Sequence, residues 1–358
     1  MWRARSTLFC VFSASLALGV YFFSPLPVAL TEVSLKGDQW VEPVLKVQLK
    51  DAESVADWIG APRDVCPTSS PLSLRLAVIG DTRADADGLG YSAYWLELID
   101  QVMSRAPHVL IHLGDWVKSG TRRGEWRRVM ESLALIDRAL PLLSVRGNHD
   151  RGPYFSTLGF GAQTALRVSR CGPILIYLFD TEGDEWTTRQ QVLNFYEAHQ
   201  RQTRESRAAS DIEFVLWVQH RPLLSRGNHG SDERGWAEWL TPVIEGLGVD
   251  LTLSGHDHDY ERFCPTLGAG LERRCDHQGV HHIVSGGGAS FTVPLPGLSR
   301  EVSPEIARLD AQQSLLFRGQ RHALELVWTP KRLQVFAWGT PRYGISEVID
   351  DLDLSARP

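Results

Sequence analysis

The sequence is short of cysteine: five in 358 residues, none at C-x-x-C spacing. That spacing argues against a zinc–thiolate site. A surplus of positive charge is also missing. Lysine and arginine number 37 against 43 aspartates and glutamates, a formal net charge of −6, so the usual reason to expect a nucleic-acid partner is absent. The one basic patch, "TRRGEWRR" (121–128), reads as a solvated helix face. There is no internal repeat, which excludes a solenoid, and no low-complexity tract. What remains is ordinary for a folded globular protein, 43% hydrophobic and 22% charged, with length enough for one large core or two smaller ones.

The N-terminus departs from that composition. In "MWRARSTLFCVFSASLALGVYFFSPLP", Arg3 and Arg5 precede an apolar run from Leu8 to Phe23, followed by Pro25 and Pro27. Residues 1–30 therefore read as a signal peptide or an N-terminal membrane anchor. The run is near the lower limit for spanning a bilayer, which takes roughly 17–25 residues. No clean small-x-small cleavage site follows it, so both readings stay open. Cys10 lacks the small neighbours of a lipoprotein acceptor site. Arginines stay on the cytoplasmic side, so the rest of the chain is expected to be exported, periplasmic or extracellular, and attached to the membrane if the segment is retained. Cys66, Cys171, Cys264 and Cys275 suit that setting, with two disulfides. Cys264–Cys275, bracketing "PTLGAGLERR", is the favoured local pair. Cys66–Cys171 would then tie the N-terminal segment to the main domain. The sequence alone leaves the pairing open.

Residues 31–71 form a polar, irregular extension with one candidate strand at "PVLKVQL". From 72 to 348 the pattern is regular, and 349–358 is left as a C-terminal tail. "LRLAVIGD" (74–81), "HVLIHLGD" (108–115), "PLLSVRGNHD" (141–150), "ILIYLFDT" (174–181), "EFVLWVQH" (213–220), "VDLTLSGHDH" (249–258) and "HHIVSGGG" (281–288) read as strands entering loops. Helical spacing appears in 91–105, 125–140, 187–202 and 235–247. Residues 322–338 look like a hairpin turning at "TPKR". Alternating strands and helices predict an α/β fold.

Such sheets place function just past the carboxyl ends of their strands. Asp81, Asp115, Asn148 with His149, His220, and His256 with His258 all lie there. One strand-end aspartate is commonly a turn or helix cap; five strand ends with ligand-type residues are not explained that way. The donors are oxygen or imidazole nitrogen, which selects manganese, iron, zinc or magnesium over soft-ligand metals. One shared carboxylate can bridge two cations about 4 Å apart, the spacing of two-metal hydrolysis.

The order GD…GD…GNHD…H…GHxH resembles the calcineurin-like metallophosphoesterases. "GHDHDYER", "VQHRPLLS" and "VSGGG" are most similar to the purple acid phosphatase branch. The resemblance runs over residues 74–290 and implies a four-layer α/β/β/α metallophosphoesterase sandwich with a dinuclear metal centre. Carried over, the first of two divalent or trivalent ions (Fe, Mn or Zn) takes Asp81, Asp115 and His258. The second takes Asp115, Asn148, His220 and His256. His149 corresponds to the catalytic histidine, with Asp150 orienting its ring.

Two positions depart from the family pattern. Arg83 stands where many members have a ligating histidine, and Lys118 where purple acid phosphatases have a tyrosine. Neither side chain can donate a lone pair when charged. Asp85 or Asp87 could replace the missing ligand, or only shape the loop. Arg83 is either a clamp for a phosphate oxygen or a structural ion pair. His229 is a candidate second acid or an exposed loop histidine. Arg146 reads as structural or solvated, and Trp116 as core or a wall of the site.

The implied activity is hydrolysis of small phosphate esters, phosphomonoesters favoured, by a hydroxide held between two metals. The alternatives are a phosphodiesterase, a nucleotide or lipid phosphatase, and a catalytically weak family member acting as a binding module.

Overall fold

Alternation along single strands decides the architecture. The computed structural model describes residues 53–54, 64–66, 72–83, 93–134, 140–160, 165–209, 211–289, 303–339 and 347–357. The strands, in chain order, are β1 (Glu53–Ser54), β2 (Leu74–Ile79), β3 (Val109–His112), β4 (Leu142–Ser144), β5 (Leu166–Cys171), β6 (Ile174–Phe179), β7 (Phe214–Gln219), β8 (Leu251–Ser254), β9 (Tyr260–Phe263), β10 (Thr266–Leu267), β11 (Arg274–Cys275), β12 (His281–Ser285), β13 (Ser314–Arg318), β14 (His322–Thr329), β15 (Arg332–Gly339) and β16 (Glu347–Ser355). The helices are α1 (Ala93–Met103), α2 (Arg123–Leu133), α3 (Tyr154–Thr157), α4 (Glu185–Ala208), α5 (Ala237–Gly246) and α6 (Pro304–Gln313).

The strands build two main sheets. One has the order β16-β15-β14-β2-β3-β4, the other β1-β5-β6-β7-β8-β12-β9-β13. In the first, β2, β3 and β4 are parallel. In the second, β6, β7, β8 and β12 are parallel. Successive side chains of a strand point to opposite faces. Leu74, Leu76 and Val78 of β2 share a buried cluster with Ile174, Ile176 and Leu178 of β6 and Phe214, Leu216 and Val218 of β7. Ala77 and Ile79 of β2 join a different cluster with Leu98, Ile99 and Val102 of α1 and Trp126 and Val129 of α2. On the second sheet, Leu175, Tyr177, Phe179, Val215 and Trp217 pack with Val192 and Phe195 of α4 and Trp239, Leu240 and Val243 of α5. The two sheets therefore face each other, with helices outside each, which is the expected α/β/β/α sandwich.

Both disulfides adopt the favoured pairing, Cys66–Cys171 and Cys264–Cys275. The first ties residues 64–66 to β5, where Asp64 also bridges to Arg170. The hairpin of β14 and β15 turns between Thr329 and Arg332. The tail expected at 349–358 is instead mostly strand: β16 pairs along β15 from Glu347 to Ser355. The acidic alternation of "VIDDLDLS" is that of an edge strand with one wet face, and Asp353 meets Arg332 at 2.6 Å. Asp85, Asp87, the candidate strand 43–49 and the N-terminal segment 1–30 lie outside the described residues. Among the described residues no helix is long and apolar enough to cross a membrane.

Candidate metal centre

Every candidate ligand follows a parallel strand by a few residues. Asp81 comes after β2, Asp115 after β3, Asn148 after β4, His220 after β7, and His256 with His258 after β8. Asp81 (φ 57°), Asp115 (φ 59°) and His256 (φ 73°) lie in the left-handed region. Such backbone costs a non-glycine residue about 1–3 kcal/mol and is held only where the surroundings overrule it. Here the turns are braced. The Asp81 amide donates to the Gly114 carbonyl at 3.0 Å, and the His256 amide to Asp81 Oδ2 at 2.9 Å. A Cβ at Gly147 would sit 2.2 Å from Asp115 Oδ1, and one at Gly255 would sit 2.4 Å from Asp81 Oδ2. Only glycine lets the carboxylates come this close.

Ligand atoms of Asp81, Asp115 and His220 lie within 4.8 Å of one another. His220 Nδ1 donates to the Leu113 carbonyl at 2.8 Å, which turns the lone pair of Nε2 inward. That atom is 3.0 Å from Asn148 Oδ1 and 3.5 Å from Asp115 Oδ1. Asp81 Oδ1 is buried without a hydrogen-bond partner, a costly state for a carboxylate oxygen unless a cation answers it. Burial opposes ionisation of Asp115, but the neighbouring His220, His149 and Arg83 outweigh it and hold its carboxyl below the usual range. Burial also opposes charge on His220, yet Asp115, Asp81 and Glu182 lift it above the ordinary histidine value. Concentrated negative charge, an orphaned acceptor and hard donors fit a divalent cation.

Asp150 does not orient the His149 ring as expected. Its carboxylate accepts four backbone amides, those of Gly147, Asp115, Trp116 and Val117, at 2.8–3.3 Å. It thereby clamps the Asp115 loop to the GNHD turn. Burial and the adjacent Asp115 charge push its carboxyl up to about 8, against the pull of those amides. The His149 ring is held by Lys118 instead: Nδ1 lies 2.8 Å from the Lys118 carbonyl. Its Nε2 is 4.0 Å from Asp115 Oδ2, and the side chain is 32% exposed. Trp116 is core beneath the site, stacked on His112 at 3.4 Å and donating to Ser144 at 2.8 Å. Arg146 pairs with Asp180 at 2.7 Å, the structural role expected of it.

Arg83 enters the centre itself. Its amide donates to the Asp115 carbonyl and its Nε to Asp115 Oδ2, both at 3.1 Å. Its Nη2 is 3.2 Å from His258 Nε2. His258 Nε2 is in turn 3.6 Å from Asp81 Oδ1. The remaining candidate ligand, His256, has its ring 4.9 Å from that of His220. Its Nε2 meets Glu233 Oε2 at 2.6 Å. Burial, then His220, His229 and Arg221, depress its ionisation well below the ordinary value. Arg221 Nη1, which can only donate, lies 3.2 Å from the same Nε2.

Glu233 is a residue the sequence reasoning missed, as are the groups behind it. Arg221 donates to Glu233 and, at 2.6 Å, to Glu182, which also takes Arg151 at 2.6 Å. This charged ladder fixes the His256 ring. Proximity to His229 in the "HRPLLSRGNHGSDE" loop was the only sequence signal for Glu233. His229 itself stacks on His256 at 4.0 Å, exposed at the mouth, with its amide on Asp257 at 2.9 Å.

With this geometry in hand, comparison with known proteins is specific. The family model for calcineurin-like phosphoesterases matches residues 74–260. The chain is similar to purple acid phosphatase 21 of Arabidopsis thaliana, 24% identical over 236 residues covering 62% of this chain and 51% of that one. It is similar to probable inactive purple acid phosphatase 1 of the same plant, 24% identical over 218 residues covering 51% and 34%. It spans 20% to 51% of the length of the curated relatives it matches. Among solved structures, a purple acid phosphatase from seeds of yellow lupin (Lupinus luteus) aligns with a TM-score of 0.60 at 19% identity, over 82% of this chain and 55% of that one. At that identity the likeness is one of fold.

Proposed function

The chain belongs to the calcineurin-like phosphoesterase family, hydrolases acting on phosphoric esters, and from that premise we propose that it hydrolyses small phosphate esters, monoesters before diesters, at the strand-end centre. The observation that carries the reading is the meeting of Asp81, Asp115 and His220, delivered by both sheets, with ligand atoms within 4.8 Å. Asp115, Asn148, His220 and His256 would hold iron, manganese or zinc, which supplies an activated water at neutral pH and positive charge for the phosphate.

The chain's own groups do the rest. Asp150 keeps the Asp115 and GNHD loops in register through its four amides. The Lys118 carbonyl accepts from His149 Nδ1, so that the imidazolium form gives its Nε2 proton to the departing alcohol oxygen and is left as the neutral ring with Nδ1–H. His229, stacked at the mouth, is a second donor to that oxygen. Arg83 meets the equatorial phosphate oxygens with a permanent positive charge. Preference for monoesters rests on the likeness to purple acid phosphatases. An exported setting rests on the two disulfides and the N-terminal pattern.

One observation favours a second reading, a catalytically weak member that binds rather than turns over: Arg83 lies on two candidate ligand atoms, and two relatives are named as probably inactive. Hydrolysis of a chromogenic phosphate monoester, then a diester, decides between them. The protein is stripped of metal and titrated with manganese, iron or zinc beside an Asp115→Ala control. Metal-dependent turnover lost in the control supports the hydrolase; a folded protein inert to both esters with every metal sinks it.

A further inference from the structure

Arg83 is placed where a cation would be, and the placement is built rather than incidental. Its backbone amide and its Nε both attach to Asp115, at 3.1 Å each, so main chain and side chain aim it at the same residue. The side chain is 15% exposed, between two groups that the family resemblance assigns to the first metal. A guanidinium has only donors. Where Nη2 stands 3.2 Å from His258 Nε2, that nitrogen must accept, with the one lone pair that a metal would need. Asp115 Oδ2 is likewise taken by Nε. The opposite oxygen, Oδ1, accepts the His149 amide at 2.9 Å, keeps a second lone pair, and faces His220 Nε2 at 3.5 Å. Asp115 thus has a guanidinium on Oδ2 and the ligand atoms of His220 and Asn148 beside Oδ1.

We propose that the Arg83 guanidinium replaces the first of the two metal ions, so that the centre takes a single cation, held among Asp81, Asp115, Asn148 and His220. This rests on the phosphoesterase reading and deepens it: the phosphate of the substrate lies between one metal and one arginine. The arginine stays charged at any working pH, and a second metal ion beside it would meet like-charge repulsion as well as missing lone pairs. Lys118, at the position of the absent tyrosine, contributes its carbonyl to His149 and adds no oxygen donor from its side chain.

The test counts metal ions rather than turnover. The full chain is stripped, reloaded with Mn²⁺ and dialysed, then read by elemental analysis and electron paramagnetic resonance. The wild type should hold about one Mn²⁺ per chain with the spectrum of an isolated ion, and Arg83→His should rise to about two with a spin-coupled spectrum. Two coupled ions in the wild type would overturn the inference and leave the phosphoesterase reading standing. So would a folded Arg83→His protein that stays at one. No bound ion in the wild type after reloading with manganese, iron and zinc in turn would overturn both. If Arg83→His fails to fold, the wild-type count and spectrum decide alone.

Discussion

The two sides of the centre start from the same parts and end differently. Each offers carboxylate oxygens and the Nε2 of a histidine. On one side His220 gives Nδ1 to the Leu113 carbonyl and turns Nε2 to Asn148 and Asp115. On the other, His258 turns Nε2 toward Asp81, and Arg83 stands on it. The difference teaches that a metal site is defined by lone pairs left for the metal, and residue identity alone does not supply them.

Asp115 serves both sides, so its loss should have the largest effect. Asp115→Ala should reduce turnover on the order of a thousandfold or more and empty the centre of metal. Metal analysis of the variant beside a phosphomonoester assay checks this; a variant that kept its metal would show that the carboxylate does not organise the centre. The sharper contrast is between the histidines. His220→Ala should lose both metal and activity. His258→Ala should keep its metal content and lose activity about ten- to hundredfold, through a displaced Arg83. Equal loss of metal from both variants would erase the asymmetry between the two sides.

A smaller effect is expected one layer out. Glu233 holds His256 Nε2 at 2.6 Å and is itself held by Arg221. Glu233→Gln should weaken metal affinity about tenfold, toward the low end of such supporting groups, because the amide still accepts a hydrogen bond. Competition with a chelator measures this. Unchanged affinity would mean that the Arg221–Glu182 ladder stabilises the loop and leaves the ligand unaffected.

These residues differ in how well the sequence announced them. The metal-facing set was legible because each member is tied to a local pattern: an apolar run, then Gly-Asp, GNHD or GHDH. The α/β class was legible from the alternation of apolar runs and helical spacing, and the four layers came from the family resemblance of the motifs at the strand ends. What was not legible depends on distant segments meeting. Arg221 and Glu233 are twelve residues apart, and Glu182 comes from another loop. Asp150 misled by adjacency: it neighbours His149 in sequence, but its carboxylate turns to amides on two loops. Arg83 could be clamp or ion pair on sequence grounds, and its contacts are with residues 32 and 175 positions away, Asp115 and His258, which no local pattern announces. The acidic end of the chain hid an edge strand because its wet face carries most of the signal.

His282 supplies a control for the lone-pair argument, with the smallest expected effect on turnover. Both its nitrogens are taken by hydroxyls, Thr252 at 2.8 Å and Thr266 at 2.9 Å, so it should bind no metal. Burial first, then Arg273 and His281, depress it to about 3, against about 6.5 for an unfolded chain. Between those values the unfolded state binds the extra proton, so stability rises with pH and is lost as pH falls below 6.5 toward 3. Burial gives His281 and His322 the same sign, each lowered to about 4. Asp232, raised by burial to about 6, has the opposite sign: its native state holds the proton longer, and its contribution is lost as pH rises from about 4 to 6. Comparing His282→Gln with the wild type cancels these other groups. The variant should be less stable at pH 7 through its lost packing, but its further loss from pH 7 to pH 5 should be smaller by on the order of 2 kcal/mol. Urea unfolding at the two pH values measures the difference. Its metal content and turnover should match the wild type, and a variant that lost metal would show that a histidine with both nitrogens engaged can still govern the centre.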